Sequence, residues 1–181
     1  ISSNTDRISN IVSSLKHMSG QDEEKLDEQV NINSTLRSAM MILNHKVRKH
    51  TDCFKLSFGK SIPKILGNSR QLEQVFINVI LNALQSLSDR EKAVAVNTSY
   101  DKKNGHVVLV VEDEGCGVVL ENMGRLTEPF FTTKIKAGGT GLGLSISNLI
   151  ILKHGGNIRF EPKLDGGTQV TIIFPVQAKG G

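Results

Sequence analysis

The spacing of apolar residues changes several times along the chain, and each change marks a new element. Ile8, Ile11, Val12, Leu15 and Met18 recur at helical spacing, as do Leu36, Met40, Met41, Leu43 and Val47. Val30 and Ile32 mark a short strand before the second of these helices, and Phe54 to Phe58 and a segment near Ile65 mark two more. A longer helix covers 70–85, RQLEQVFINVILNALQ. Segments 93–100, 106–112, 156–161 and 168–175 are rich in β-branched residues, so they read as strands. Leu144, Ile146, Leu149, Ile150 and Leu152, closed by Lys153, His154 and Gly155, predict a helix with a basic last turn and a glycine stop. The pattern as a whole predicts an α/β fold, a two-layer sandwich in which three helices cover one face of a sheet. The other face must then meet solvent or another part of the protein.

The polar side of the 70–85 helix is unusual. At 3.6 residues per turn, Gln71, Gln74, Asn78, Asn82 and Gln85 fall within one narrow arc, and Leu72, Val75, Phe76, Val79, Ile80, Ala83 and Leu84 cover much of the rest. A surface helix ordinarily puts Lys and Glu on its wet face. Neutral amides carry both a donor and an acceptor. They can contact phosphate oxygens and give a carbonyl oxygen to Mg²⁺ without adding negative charge beside an anion. Taken alone, the stripe could equally be a solvated face that happens to be rich in Asn and Gln.

Two segments downstream favour a ligand. The apolar run VVLVVE (107–112) reads as a buried strand and feeds directly into Asp113-Glu114-Gly115-Cys116-Gly117. A carboxylate at a strand end can accept a hydrogen bond from an exocyclic amine such as adenine N6, and the glycines let backbone approach a flat ring. Such a turn by itself would be no more than a strand ending. The second segment, Gly138-Gly139-Thr140-Gly141-Leu142-Gly143-Leu144, opens the helix that follows. Glycines at a helix start expose N–H groups where the helix dipole favours an anion. No GKS or GKT follows, so it is not a P-loop, and no strand-like run immediately precedes it, as a dinucleotide fingerprint requires.

With PFFTTK at 129–134 and GGT at 166–168 added, these segments resemble the N, G1, F, G2 and G3 boxes of the catalytic domain of bacterial sensor histidine kinases. That domain belongs to the GHKL ATPase group, and the likeness runs over residues 30–176, nearest to the nitrogen-regulator type with its short ATP lid. The resemblance implies a mixed sheet and a site for ATP and Mg²⁺. It makes Asn82 the metal ligand and sets Asn78 one turn earlier on the phosphate-facing stripe. It makes Asp113 the reader of adenine, with Gly115 and Gly117 shaping the base pocket, and Gly167 and Thr168 closing it. Lys134, at the start of the lid, becomes a phosphate contact, and Gly139, Thr140, Gly141, Leu142, Gly143 and Leu144 the phosphate-binding turn. Asn78, Asn82 and Lys134 form the implied catalytic set. The chain departs from the pattern in three places: Leu126-Thr127 replaces a frequent Ile-Phe, Glu114 replaces a frequent Asn, and Gln85 replaces a basic residue.

Position 78 separates two reactions. Hydrolysing GHKL members of the gyrase type carry a glutamate four residues before the metal-binding asparagine, where it activates water. Asn78 cannot act as a general base. Phosphoryl transfer needs positioning and charge neutralisation more than a base, so the expectation is transfer of the ATP γ-phosphate to a histidine. The rivals are a GHKL ATPase whose hydrolysis drives a clamp and a nucleotide-sensing module without chemistry. None of the five histidines fits the acceptor. His17 lacks the flanking residues of the family's motif, His45 and His50 lie on a basic helix flank, His106 precedes a strand, and His154 lies in a helix C-terminal turn where positive charge is favoured.

The resemblance suggests where the acceptor lies. Residues 1–19 look like part of the second helix of the family's dimerisation hairpin, residues 20–29 like an acidic hinge, and 177–181 like a tail. The implied partners are that hairpin, which would carry the acceptor histidine upstream of Ile1, a response regulator receiver domain, and a second copy in a homodimer. Net charge +4, one Tyr and no Trp give no aromatic-basic interleaving, so nucleic acid is not an expected partner. Two cysteines far apart suggest a reducing compartment, and a cytoplasmic location is expected, with membrane anchoring of the parent left open.

Overall fold

The computed structural model describes residues 25–132 and 140–176. The readings of 1–19, of most of the hinge, of Lys134 and Gly139, and of the tail therefore lie outside the described residues. Among the described residues seven strands and three α-helices follow in the order β1 (Glu28–Val30), α1 (Ile32–His50), β2 (Cys53–Ser57), β3 (Ile65–Gly67), α2 (Ser69–Ser86), β4 (Ala93–Asp101), β5 (His106–Asp113), α3 (Gly143–Lys153), β6 (Asn157–Pro162) and β7 (Thr168–Pro175). A 3₁₀ turn, Leu120–Arg125, lies between β5 and α3.

Five strands form one mixed sheet in the order β2-β4-β5-β7-β6, with β2 parallel to β4 and every other pair antiparallel. The β-branched runs explain its one-sidedness. In β5 and β7 side chains alternate between buried and half-buried along their whole length. Val94, Val96, Val107, Leu109, Val111, Val170, Ile172 and Phe174 face the helices, which bring Leu36, Leu43, Leu72, Phe76, Ile80, Leu84, Ile146 and Ile151 to the same core. Removing one such Leu or Phe side chain from water contributes about 1.5–3 kcal/mol, so this shared core holds the layers together.

The sequence pattern needs correction at the amino-terminal edge. β1 and β3 do not join the main sheet; they pair with each other, antiparallel, as a separate two-stranded ribbon. The first strand ends at Val30, and Ile32 opens the helix, because Asn31 caps it by accepting a hydrogen bond from Ser34 N at 3.1 Å. Glu28 and Gln29, assigned to the hinge from sequence, are paired strand residues. Asn68 caps α2 in the same way through Gln71 N.

Candidate nucleotide-binding site

Helix α2 carries the site, and its neighbours decide what each residue on its polar stripe can do. α3 packs beside it in the opposite direction. Asn78 Nδ2 donates to Gly143 O at 3.2 Å and to Ser147 Oγ at 3.3 Å at the start of α3, while at its far end the His154 ring accepts from Asn68 N at 3.0 Å. Asn78 therefore fastens the glycine loop to α2, a role that its place on a phosphate-facing stripe does not reveal. Gln71, counted from sequence in the same arc, is buried, and its Oε1 has no hydrogen-bond partner. Asn82 is half-buried, one turn beyond Asn78.

The start of α3 differs from the other two helices. α1 and α2 are closed by Asn side chains, but α3 has no side-chain cap bond at its Leu142 N-cap. Its first-turn N–H groups thus keep the partial positive charge that an anion can meet. Gly141 has φ +69, and a Cβ there would lie 2.7 Å from Phe130 O and 2.8 Å from Phe130 Cα. Phe130, itself at φ 67, donates from its N–H to Gly141 O at 3.0 Å. This backbone clasp fixes the loop where Thr140 accepts weakly from Leu142 N at 3.4 Å. Leu142 is buried in the core and Leu144 packs against it, so both offer the loop backbone and not side chain.

At the other end of α2 lies the turn after β5. Asp113 is buried, and its Oδ1 accepts from Gly115 N at 2.8 Å and from Ser86 Oγ at 2.9 Å. Glu112 pairs with Gln169 across the β5–β7 ladder, which sets Asp113 beside Thr168, also buried. Gly167, at φ +88, packs its Cα face on the Asp113 carbonyl, and Gly117, at φ +69, lies against Gly167. Glu114, where the family often has Asn, pins the turn to β4: its N–H donates to Ala93 O at 3.0 Å and its Oε2 accepts from Ala93 N at 2.9 Å. Cys116 is exposed.

The structure thus brings Gly143, with Thr140 and Gly141 leading into it, against Asn78 on α2, and Asp113 and Gly115 against Ser86 at the end of the same helix, with Gly117 and Thr168 at the Asp113 turn. From Asn78 to Ser86 the helix rises about 12 Å, at 1.5 Å per residue, from the phosphate-type loop to the base-type turn. Among the described residues no group of three or more His, Cys, Asp or Glu side chains converges on a metal position. A hard cation at the amide stripe would have to take most of its oxygens from phosphate and water. A cavity of about 370 Å³ lined by Met123, Asn148, Ile158 and Phe160 includes none of these residues.

Sequence reasoning missed Ser86 and misjudged His154. Ser86 lies four residues beyond Asn82, and continuing the stripe by one turn would have found it. His154 is buried: Nδ1 donates to Ile150 O at 2.7 Å and Nε2 accepts from Asn68 N, so the ring is neutral. Burial holds its pKa below the ordinary histidine value of 6.5, and nearby Lys153 acts in the same direction. The helix C-terminus does not carry a histidine cation.

A mixed sheet under three helices, with an uncapped glycine-led helix at one end of an amide stripe and a strand-end carboxylate at the other, defines a nucleotide-binding α/β domain. Residues 67–178 match the family described as histidine kinase-, DNA gyrase B- and HSP90-like ATPase. Over 150 residues, 83% of this chain, it is 34% identical to sporulation kinase E of Bacillus subtilis (strain 168) and covers 20% of that protein. The structure of the mycobacterial sensor histidine kinase MprB superposes with a TM-score of 0.71 at 27% identity, covering 82% of this chain and 97% of that one. Histidine kinase ThkA, solved in complex with the response regulator protein TrrA, shares the fold with a TM-score of 0.73 at 22% identity, covering 96% of this chain and 49% of that one. The chain belongs to the histidine kinase-, DNA gyrase B- and HSP90-like ATPase family, and its domain is of the sensor histidine kinase type. It spans about a quarter, or less, of the length of such curated relatives.

Proposed function

We propose that this domain binds ATP with Mg²⁺ and transfers the γ-phosphoryl group to a histidine on a dimerisation hairpin, for onward transfer to a response regulator receiver domain. The observation that carries the reading is the bonding of Asn78. Its amide nitrogen donates to Gly143 O and Ser147 Oγ, so the position that would hold a water-activating carboxylate holds the glycine loop instead. In the transfer, the acceptor imidazole nitrogen supplies its own electron pair to the γ-phosphorus. The phosphorus–oxygen bond to the β-phosphate breaks and ADP leaves, with no base demanded of the domain. The uncapped first turn of α3 and Lys134 would meet the phosphates, Asn82 the metal, and Asp113 the adenine amine. The metal when bound would neutralise charge on the phosphates.

A hairpin in the parent protein would place this chain beside a second copy, and a response regulator partner is in keeping with the ThkA–TrrA complex. No helix among the described residues is long and apolar enough to cross a membrane. The test supplies an acceptor hairpin in trans with labelled ATP. Acid-labile label on the hairpin is the expected result. Rapid phosphate release without label would indicate a clamp-type ATPase, and nucleotide binding with neither would indicate a sensing module; either overturns the transfer reading.

A further inference from the structure

We infer that Ser86 is a positioning residue for base selection, holding Asp113 so that one carboxylate oxygen is presented to the amine of adenine. The inference rests on the reading of Asp113 as the base contact and adds a residue that the motifs do not contain. Ser86 ends α2 and holds the base turn at three points. Its hydroxyl donates to Asp113 Oδ1 at 2.9 Å, its carbonyl accepts from Cys116 N at 3.0 Å, and Gly115 packs directly on it. A Cβ at Gly115 would lie 2.5 Å from Ser86 Cβ and 2.6 Å from Ser86 O, so the turn has room there for no side chain.

The hydroxyl is itself aimed. Ser86 Oγ lies 2.7 Å from Ala83 O, a bond back along the helix that fixes its rotamer and shares its one proton with Asp113. Both described hydrogen bonds to the Asp113 side chain, from Ser86 and from Gly115 N, fall on Oδ1. That arrangement fixes the plane of a carboxylate whose terminal torsion is otherwise broad. Oδ2 is left as the acceptor for a purine amine. Because Ser86 is on the helix that carries Asn78 and Asn82, it also ties the base turn to the phosphate end as one rigid piece.

The test compares ADP with IDP, which has an oxygen where adenine has the amine, by calorimetric titration of wild type, Ser86→Ala, Ser86→Cys and Asp113→Asn. A hydrogen bond to a charged group is worth enough that its loss should narrow the preference for ADP over IDP by roughly three- to tenfold in both Ser86 variants. A merely structural role would weaken ADP and IDP together and leave their ratio unchanged; that result overturns the inference. Ser86→Cys keeps the volume with a poor donor, and thermal melts identify a variant that has lost its fold. If Asp113→Asn leaves the ratio unchanged, the base-contact reading itself fails. If Asp113→Asn collapses the ratio while both Ser86 variants retain it, only the role of Ser86 fails.

Discussion

Two glycines on opposite sides of one contact should respond very differently to a single added methyl group. Gly117 and Gly167 both have positive φ, +69 and +88, and they pack against each other beside Asp113. At Gly117 a Cβ would meet Gly167 O at 3.3 Å, a contact that small shifts relieve. Gly117→Ala should therefore cost little beyond the left-handed backbone, about 1–2 kcal/mol. For a domain of this size that is a melting-temperature loss of roughly 2–8 °C. At Gly167 the new Cβ would lie 2.8 Å from Asp113 C and 3.0 Å from Glu114 Cα, and closer still to the Asp113 carbonyl oxygen. These are backbone atoms that cannot rotate away, so overpacking adds about 1–3 kcal/mol to the same conformational strain. The displaced atoms also belong to the residue of the proposed base contact, so Gly167→Ala should lose ADP affinity out of proportion to its stability, and more of it than Gly117→Ala. Differential scanning calorimetry and ADP titration read both quantities. Equal melting-temperature losses, or wild-type ADP affinity in Gly167→Ala, would refute the argument.

Asn82→Ala should leave the fold and the metal-free affinity for an ATP analogue nearly intact while removing the gain in affinity that Mg²⁺ confers on wild type. Titrations with and without Mg²⁺ measure this, and an undiminished Mg²⁺ effect would move the metal elsewhere. His154 predicts the response to acid. Its folded pKa is lowered by burial, so below the unfolded value of 6.5 the unfolded chain binds a proton that the folded chain refuses. Its contribution is complete above that value and is lost as pH falls through 6.5 toward the folded pKa, with a slope of at most about 1.4 kcal/mol per pH unit. Urea midpoints between pH 7.5 and 5.5 should fall in wild type and fall less in His154→Gln; identical slopes would sink the assignment.

Local spacing told which side of each helix faces inward, and that was enough for the main elements and for the order of the motifs along the chain. It could not tell what covers a face. His154 shows this most plainly: the backbone N–H that its ring accepts from belongs to Asn68, 86 residues earlier, and no pattern within one turn contains that bond. Ser86 and Asp113 are 27 residues apart, so a serine at a helix end looks like an ordinary terminus until β5 is laid beside it. The short strands β1 and β3 were legible as strands, but strand propensity carries no partner, and they pair with each other away from the main sheet.

The amide stripe of α2 shows how position along a helix, as well as angle around it, decides role. Gln71, Asn78 and Asn82 share an arc, yet α3 runs antiparallel along only part of it, from Gly143 beside Asn78 to His154 beside Asn68. The stretch before Asn78 therefore lies under α3, and within it Gln71 is buried and Gln74 half-buried. Asn78 sits beside the start of α3 and bonds to its first turn. Beyond the start of α3, Asn82 and Ser86 continue the stripe toward Asp113. The length of α3, 11 residues, thus divides one sequence pattern into a stretch beside that helix and a stretch beyond its start. The same geometry puts the uncapped N–H groups of α3 at the dividing line, where phosphates held by the stripe would meet them.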